Sequence, residues 1–395
     1  MRTRCVGTTV IRLAGSLSVA DLPDVKGDDV VTPGQGTAPA PLEAQRDVVR
    51  SAGRALTLSI HDLAGVGIGT TISEALAGST AQAVLADRLG YHRYWVAEHH
   101  GTPSVASSAP VVVLTHLAAH TRNIRIGSGG VMLPNHAPLV VAEQFGTLDA
   151  LYPGRIDLGL GRAPGTDPIT AQALGRRTDA DIGDGYASQI AELQHFMHAD
   201  FPAGHPYRKI QATPMSPVPV YLLGSSEHGA RLAARLGLPF AFAYHFAGVA
   251  GTTERALAVY RSEFRPSTQL DEPYVLIGVL AVAADTDEQA EFEAHAGALS
   301  MMLQRSGRRR PIPTPEQALA FEYSPEDRER IKAVRATEIN GTADHVAAGL
   351  TALAARFDVQ ELLISTRCHS AATKLHSLEL IATAAGLLGR DHPSG

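Results

Sequence analysis

The sequence predicts an α/β protein, a TIM (β/α)8 barrel with an insertion before the last strand. Eight short segments are typical of strands, and nearly all are continuous apolar runs, as expected of parallel strands covered on both faces. Each is followed by a segment that is typical of a helix. Such βα units build either an open doubly wound sheet or a closed barrel, and a count of eight favours the barrel.

The elements follow one another in a regular order. The strands are predicted at residues 55–62, 94–97, 124–133, 155–163, 218–226, 239–246, 273–285 and 359–366. Helices are predicted at residues 73–90, 107–120, 138–152, 227–237 and 252–264, then in a long segment ending near 305, at 342–356, and from about 370. Ser73 is the predicted N-cap of the first helix, and Gly90 its terminator.

Two regions depart from this alternation. Residues 1–54 are rich in Gly, Pro and charge without periodicity, which predicts a flexible, disordered arm ahead of a barrel at 55–390. An apolar run after Arg2 and Arg4 faintly resembles a signal peptide, but Arg12 interrupts it, so export is not the favoured interpretation. Residues 306–341 form the predicted insertion, whose length is typical of a mobile cover or an interface.

Composition narrows the class of partner. A formal net charge of -6 argues against general nucleic-acid binding, because phosphate contacts need a basic surface. Nothing in the chain is long and apolar enough to predict a membrane span. Cys5 and Cys368 lie at opposite ends of the chain, so no disulfide framework is predicted. These observations predict a cytoplasmic protein with a small-molecule ligand.

The carboxyl end of strand two carries three titratable residues. In a barrel the catalytic surface is built from the carboxyl ends of the strands and the loops after them. Glu98, His99 and His100 follow strand two directly, and an imidazole that titrates near neutrality suits proton transfer. We expect one of them in the barrel mouth and its neighbours in supporting hydrogen bonds. A purely structural role, with all three satisfying a loop, stays open.

Glycine-rich strand ends indicate a ligand close to the backbone. The stretch "GSGGVMLP" places Gly127, Gly129 and Gly130 where a bulky side chain would fill the barrel mouth, and Ser128 is a further candidate there. The stretch "GLGRAPG" nearly matches a dinucleotide fingerprint, but Pro164 takes the third glycine position and no helix opens there. What remains is a glycine pair with Arg162, suited to an anion or to a simple turn.

The start of the fourth predicted helix is a candidate phosphate site. Gly224, Ser225 and Ser226 precede this helix, and free N–H groups and hydroxyls at a helix N-terminus bind phosphate. Ser226 is also a natural N-cap, which is the structural alternative.

The histidines do not predict a metal centre. His116 and His120 are spaced like a metal-binding pair, but no carboxylate lies between them and their helix is apolar. The sequence also lacks the H-x-H pattern of metal-dependent hydrolase barrels. We therefore expect no metal.

Three stretches together resemble one protein family. Strand ends of the bacterial luciferase-like, flavin-dependent monooxygenase superfamily are similar to three stretches of this chain: "YWVAEHH", "IRIGSGGVMLPNHAPLVVAEQFGTLDALYPGRIDLGLGRAPG" and "PVYLLGSS". The likeness extends from Ala55 to about Leu388 and is greatest to the small FMN-type branch, rather than to the deazaflavin-dependent one.

The resemblance implies a role for each matching residue. His99 takes the place of the luciferase active-site histidine, and the position of Glu98 beside it predicts that Glu98 orients the ring. The Gly129–Gly130 peptide would lie under the flavin ring, commonly as a cis bond, and Arg162 with Ser225 and Ser226 would hold the phosphate. Luciferase has glutamate where Ser225 stands and cysteine where Gly161 stands, so light emission is not implied.

The implied activity is a reaction of reduced FMN with O2 that oxygenates a small organic substrate. A separate flavin reductase would supply the reduced FMN, and relatives of this type are often homodimers. Position alone suggests His61, His100, Ser107, Tyr244 and His245 as substrate-pocket residues. Two alternatives remain: a non-catalytic flavin-binding protein, and a lyase or isomerase that uses His99 and Glu98 on a sugar phosphate.

Overall fold

The computed structural model describes residues 56–387 except 177–178, 213, 215 and 247–250, and the side chains of 179–184 are also outside the description. The predicted arm, residues 1–54, lies outside the described residues, as does the end of the predicted barrel segment.

A closed ring of eight parallel strands forms the centre of the fold. The described residues contain nine strands, of which all but β8 form the ring: β1 (Thr57–Asp62), β2 (Arg93–Val96), β3 (Arg125–Met132), β4 (Ile156–Gly161), β5 (Val220–Gly224), β6 (Phe240–Ala243), β7 (Val275–Ala284), β8 (Glu338–Thr342) and β9 (Glu361–Ser365). Strands β1 to β7 pair in sequence order, and β9 closes the ring by pairing with both β7 and β1. The predicted (β/α)8 barrel is confirmed.

Helices cover the outside of the barrel. They are α1 (Ile72–Leu89), α2 (Pro110–His120), α3 (Pro138–Leu151), α4 (Pro168–Ala173), α5 (Asp179–His198), α6 (Glu227–Leu236), α7 (Thr252–Glu263), α8 (Asp287–Arg305), α9 (Pro315–Leu319), α10 (Pro325–Arg335), α11 (Ala343–Phe357) and α12 (Ala371–Ala384). None of the helices in the described ranges has the length and apolar character to cross a membrane.

The capping of α1 differs from the prediction at one end. Thr71, not Ser73, is the N-cap, because Thr71 and Glu74 form a capping box in which each side chain accepts the other's backbone N–H. Gly90 ends the helix in the left-handed conformation, with φ of 85°, as predicted.

Two features of the fold are missing from the sequence prediction. Helices α4 and α5 follow β4, where the sequence predicts no regular element; within α5, Gly183 and Gly185 interrupt the helical spacing. The predicted insertion contains α9, α10 and most of β8, which pairs with the carboxyl-terminal half of β7, outside the closed ring.

The insertion is joined to the catalytic face of the barrel. The Ile312 amide donates to the Val66 carbonyl, and the Ile68 amide donates to the Ile312 carbonyl, both over 2.8 Å. Arg309 Nη1 lies 2.9 Å from Asp167 Oδ2. The segment after α8 therefore bridges the loops that follow β1 and β4.

A charged network fills the amino-terminal end of the barrel. Arg93 is fully buried and contacts Asp157 at 2.7 Å and Glu361 at 2.6 Å. Arg125 pairs with the other oxygen of Asp157 at 2.6 Å. Two guanidinium groups thus balance two carboxylates inside the barrel, at the end opposite the catalytic face.

Candidate active site

A cavity of about 330 Å³ opens at the carboxyl ends of the strands. This volume falls within the range of small-molecule and cofactor pockets. All eight barrel strands, or the loops that follow them, contribute to its lining. Nine of the predicted site residues line it: His61, His99, Gly129, Gly130, Arg162, Gly224, Ser225, Ser226 and His245.

His99 lies on the cavity wall as a neutral, incompletely bonded imidazole. Its backbone amide donates to the Ser107 carbonyl over 3.0 Å. Its Nδ1 is buried and has no hydrogen-bond partner among the described residues. Burial, with the nearby charge of Arg367 and the His61 ring, lowers the pKa of His99 to about 4. At neutral pH this ring can therefore accept one hydrogen bond and donate another.

Glu98 does not orient His99, contrary to the expectation from its position in the sequence. Its Oε1 lies 2.8 Å from Nε2 of both His100 and His136, and its Oε2 accepts the Met132 amide over 3.0 Å. Neighbouring residues of an extended chain point to opposite sides, so Glu98 and His99 face different surroundings. Burial alone would raise the pKa of Glu98, but the bond from His136 and the other two contacts hold it below its ordinary value.

His61 supports the glycine pair of β3. Its Nε2 lies 2.5 Å from the Gly129 carbonyl oxygen, and its Nδ1 lies 3.0 Å from Ser365 Oγ. Because a carbonyl only accepts, Nε2 carries the proton in this bond. Burial lowers the pKa of His61 below its ordinary value, which favours the neutral ring.

The glycine pair of β3 is packed too closely to carry side chains. The Gly129–Gly130 peptide is cis, as the resemblance implies. A Cβ on Gly129 would lie 2.6 Å from Cδ2 of His61, and one on Gly130 would lie 2.7 Å from the Gly159 carbonyl oxygen. Packing therefore admits only glycine at both positions, and their backbone forms part of the cavity wall.

An anion cradle, formed around Arg162, Ser225 and Ser226, lies at the carboxyl ends of β4 and β5. Ser226 is the N-cap of α6, and its Oγ accepts the Gly229 amide over 3.4 Å, which leaves its own hydroxyl proton to donate. Arg162 and Tyr186 also line the cavity, and the Tyr186 hydroxyl is buried without a partner among the described residues. A cation, an unpaired hydroxyl and a helix N-terminus together suit an anion. Tyr186 is not among the predicted site residues, because the sequence does not predict helix α5.

Five predicted residues lie off the cavity lining: Glu98, His100, Ser107, Ser128 and Tyr244. Ser128 Oγ bonds both the carbonyl and the amide of Gly159, so it joins β3 to β4. The Tyr244 ring packs against Phe357, with centroids 5.5 Å apart, on the outside of the barrel. Ser107 lies behind His99, and its buried Oγ also has no described partner.

His245 and Arg367 line the cavity after β6 and β9. His245 Nδ1 lies 3.1 Å from the Gly278 carbonyl oxygen, and burial lowers the pKa of this ring to about 3. Arg367 follows β9 and lines the cavity, although the sequence analysis did not select it. Its position directly after the last strand is typical of a barrel-site residue. Among the residues with described placement, no group of three or more His, Cys, Asp or Glu could hold a metal ion.

Comparison with known proteins places the chain in a family. The family described as luciferase-like monooxygenase matches residues 57–359. A luciferase-like monooxygenase of Escherichia coli is 41% identical over 83% of this chain and 96% of that protein. The N-acetyl-S-alkylcysteine monooxygenase of Bacillus subtilis is 34% identical over 83% of this chain and 98% of that protein.

A solved structure agrees with the sequence comparison. The crystal structure of apo-MsnO8 is 34% identical, covers 85% of this chain and 100% of its own, and superposes with a TM-score of 0.74. The match thus extends over the barrel and the cavity described above. The chain belongs to the luciferase-like monooxygenase family.

Proposed function

We propose that this protein is a monooxygenase that uses reduced FMN and O2 to oxygenate a small organic substrate in the cavity. One observation carries the proposal: a single cavity joins an anion cradle at β4 and β5 to a glycine wall at β3 and to the neutral ring of His99. A phosphate, a flat ring system and a proton-transfer group would each find a matching part of this cavity.

The residues present fit the cofactor. Arg162, Ser225, Ser226 and Tyr186 would hold the phosphate, because they offer a cation and hydroxyl donors around the N-terminus of α6. The Gly129–Gly130 backbone would face the ring, with the Gly129 carbonyl fixed by His61. Reduced flavin, when bound, supplies the electrons with which O2 is activated.

His99 would handle the proton. Its pKa of about 4 keeps the ring neutral at physiological pH, and its unpartnered Nδ1 can bond a group in the cavity. The apolar lining, which includes Leu222, Phe242 and Leu363, would limit access of bulk water to that group. We assign Glu98 a positioning role through His100 and His136, not direct contact with substrate.

The likeness to other family members bears on the partners. We infer that reduced FMN comes from a separate reductase, and that small thioethers of the N-acetyl-S-alkylcysteine type belong among the first substrates to test. The family resemblance also makes a homodimer part of the proposal.

The proposal is tested by binding and then by oxygen consumption. Oxidised and reduced FMN are titrated into the wild-type protein and into Arg162→Ala, with Arg356→Ala as a control for loss of an exposed cation that pairs with Glu254. We expect Arg162→Ala to weaken FMN binding roughly 10-fold or more and Arg356→Ala to leave it unchanged.

Air is then admitted to the reduced complex, and O2 uptake and hydrogen peroxide are measured. Protein-dependent uptake that changes with added substrate supports a monooxygenase. FMN binding without any such uptake would favour a flavin-binding protein that does no redox chemistry. Absence of FMN binding in either redox state, with retained binding of inorganic phosphate, would favour the lyase or isomerase.

A further inference from the structure

Arg367 is a cation on the cavity wall that the proposed flavin site leaves unused. Its side chain lines the cavity. In the part of the chain that the structure describes, no hydrogen bond or ion pair joins its guanidinium to another residue. Burial, with the repulsion of Arg305, lowers the pKa of Arg367 to about 10, so the group is still charged at neutral pH. A partly buried charge without a partner is costly, which suggests that its partner is a ligand.

The surrounding backbone fixes where Arg367 stands. Ser365 Oγ lies 2.8 Å from the His61 carbonyl oxygen, and Thr366 Oγ1 donates to the Ala281 carbonyl over 3.0 Å. Helix α8 packs so closely here that a Cβ on Gly297 would collide with the Arg367 carbonyl. The arginine therefore extends from a rigid strand end rather than from a loose loop.

The phosphate of the proposed cofactor is assigned to a different side of the barrel from Arg367. The cradle follows β4 and β5, whereas Arg367 follows β9. In the closed ring, β6 and β7 separate β5 from β9, and β1, β2 and β3 separate β4 from β9 in the other direction. Arg162 and Arg367 therefore extend from strands on different sides of the ring, and the proposed phosphate site uses only Arg162.

Nothing acidic on the cavity wall competes for the guanidinium. Among the described lining residues there is no Asp or Glu. The carboxylate of Glu338 attracts Arg367 only at a distance, and burial raises the pKa of Glu338 to about 7. The neighbouring Arg305 is already occupied, since it donates to the His245 carbonyl and its guanidinium carbon lies 4.9 Å from the centre of the Phe246 ring.

We propose that Arg367 binds a carboxylate of the organic substrate, so that the substrates of this protein are small carboxylate anions. The planar fork of donors in a guanidinium matches two carboxylate oxygens, and the charge near His99 places the substrate at the proposed proton-transfer group. This inference rests on the proposed function, because it takes the β4–β5 cradle as the site of the flavin phosphate.

The test compares an acid with its neutral analogue. N-acetyl-S-benzyl-L-cysteine and its carboxamide are titrated by calorimetry into the protein with saturating FMN, and again without it. The proteins are the wild type, Arg367→Met, Arg367→Lys and the matched control Arg356→Met, each checked for folding by circular dichroism. Arg356 is an exposed arginine that pairs with Glu254, so it controls for net charge.

We expect the wild type to bind the acid at least 10-fold more tightly than the amide. Arg367→Met should lose roughly 10- to 100-fold of the affinity for the acid and keep that for the amide. Arg367→Lys should retain part of the preference, because it keeps the charge without the fork. Arg356→Met should bind both compounds like the wild type.

Two results would overturn the inference: a wild type that binds the acid no more tightly than the amide, and an Arg367→Met protein that keeps the preference. Should Arg367→Met fail to fold, the wild-type comparison and Arg367→Lys decide the question. Failure of the proposed function is seen separately, as absence of FMN binding and of flavin-dependent O2 uptake.

Discussion

Nε2 of His61 lies 2.5 Å from the carbonyl oxygen of Gly129, so a side chain at the end of β1 fixes the backbone of β3 in the cavity wall. The other ring nitrogen faces Ser365 Oγ at 3.0 Å, which fixes the plane of the ring. His61 is thus a positioning residue for the surface against which a flavin ring would lie.

Removal of this bond should weaken the flavin site. His61→Leu leaves the Gly129 carbonyl without its donor, at a cost of about 1–3 kcal/mol. We expect the FMN dissociation constant to rise by about 5- to 150-fold, measured by flavin fluorescence. His61→Gln can still donate and should recover much of the loss, whereas equal losses in both variants would argue against this role.

The Gly130 position should reject any side chain. In Gly130→Ala the new Cβ would lie 2.7 Å from the Gly159 carbonyl oxygen, and a backbone atom cannot easily move away. We expect the free energy of unfolding to fall by about 1–3 kcal/mol, measured with denaturant. Gly78→Ala is the control, because its nearest neighbour would be Ala371 Cβ at 3.5 Å and alanine favours the helix. Equal stability of the two variants would contradict the packing argument.

Breaking the charged network at the amino-terminal end of the barrel should lower the free energy of unfolding far more than breaking an exposed ion pair. Arg93→Met leaves the buried carboxylates of Asp157 and Glu361 short of a partner, and loss of such a partner costs about 3–5 kcal/mol. Arg356→Met removes an exposed pair with Glu254 and should cost about 0–1 kcal/mol. Denaturant unfolding of both variants measures the two losses of free energy of unfolding. Comparable losses would show that burial does not determine how much an ion pair contributes to stability.

The same network gives the stability a defined dependence on pH. Burial alone would raise the pKa values of Asp157 and Glu361, but Arg125 and Arg93 hold the first, and Arg93 the second, below the ordinary 3.8 and 4.5. Groups with depressed folded-state pKa values stabilise the fold above the unfolded values, and that contribution is lost as the pH falls through the folded values.

Unfolding measured over a pH series should therefore show these carboxylates contributing fully at neutral pH and progressively less below about 4.5. In Arg93→Met the loss should begin at higher pH, because Glu361 has lost its cation and Asp157 keeps only Arg125. If the pH dependence of unfolding were unchanged in Arg93→Met, these ion pairs would not be the cause of the loss of stability at acid pH.

The sequence predicts what depends on local pattern. Continuous apolar runs identify the eight strands of the closed ring, and their order places His99, Gly129, Gly130, Arg162 and Ser226 on one face. These are consequences of periodicity and of the rule that barrel sites lie at the carboxyl ends of strands.

The partners of those residues depend on packing between distant segments, which the sequence does not reveal. His136, which bonds Glu98, lies 38 positions further along the chain. Tyr186 lies on helix α5, whose glycines interrupt the helical pattern of the sequence. Strand β8 is partly polar and half-buried, so it lacks the apolar run that identifies the others. Arg93 and Asp157 could have been noticed as charges inside apolar strands.

His99 offers a prediction for pH dependence. Because its pKa is about 4, the ring stays neutral across the physiological range, and His99 should cause no titration of the substrate-dependent rate between about pH 5.5 and 8. The rate is measured with substrate and reduced FMN at saturation across this range, in the wild type and in His99→Gln. A rate step near pH 6.5 that disappears in His99→Gln would contradict the assigned neutral state.

The most direct test of the central claim follows the fate of oxygen. The protein is supplied with isotopically labelled O2, a flavin reductase with NADH and FMN, and a panel of small thioethers and ketones, and products are analysed by mass spectrometry. We predict that a product gains one labelled oxygen atom, and that His99→Ala diverts most of the consumed O2 to hydrogen peroxide. Consumption of O2 entirely as hydrogen peroxide with every substrate, to the same extent in wild type and His99→Ala, would contradict the account.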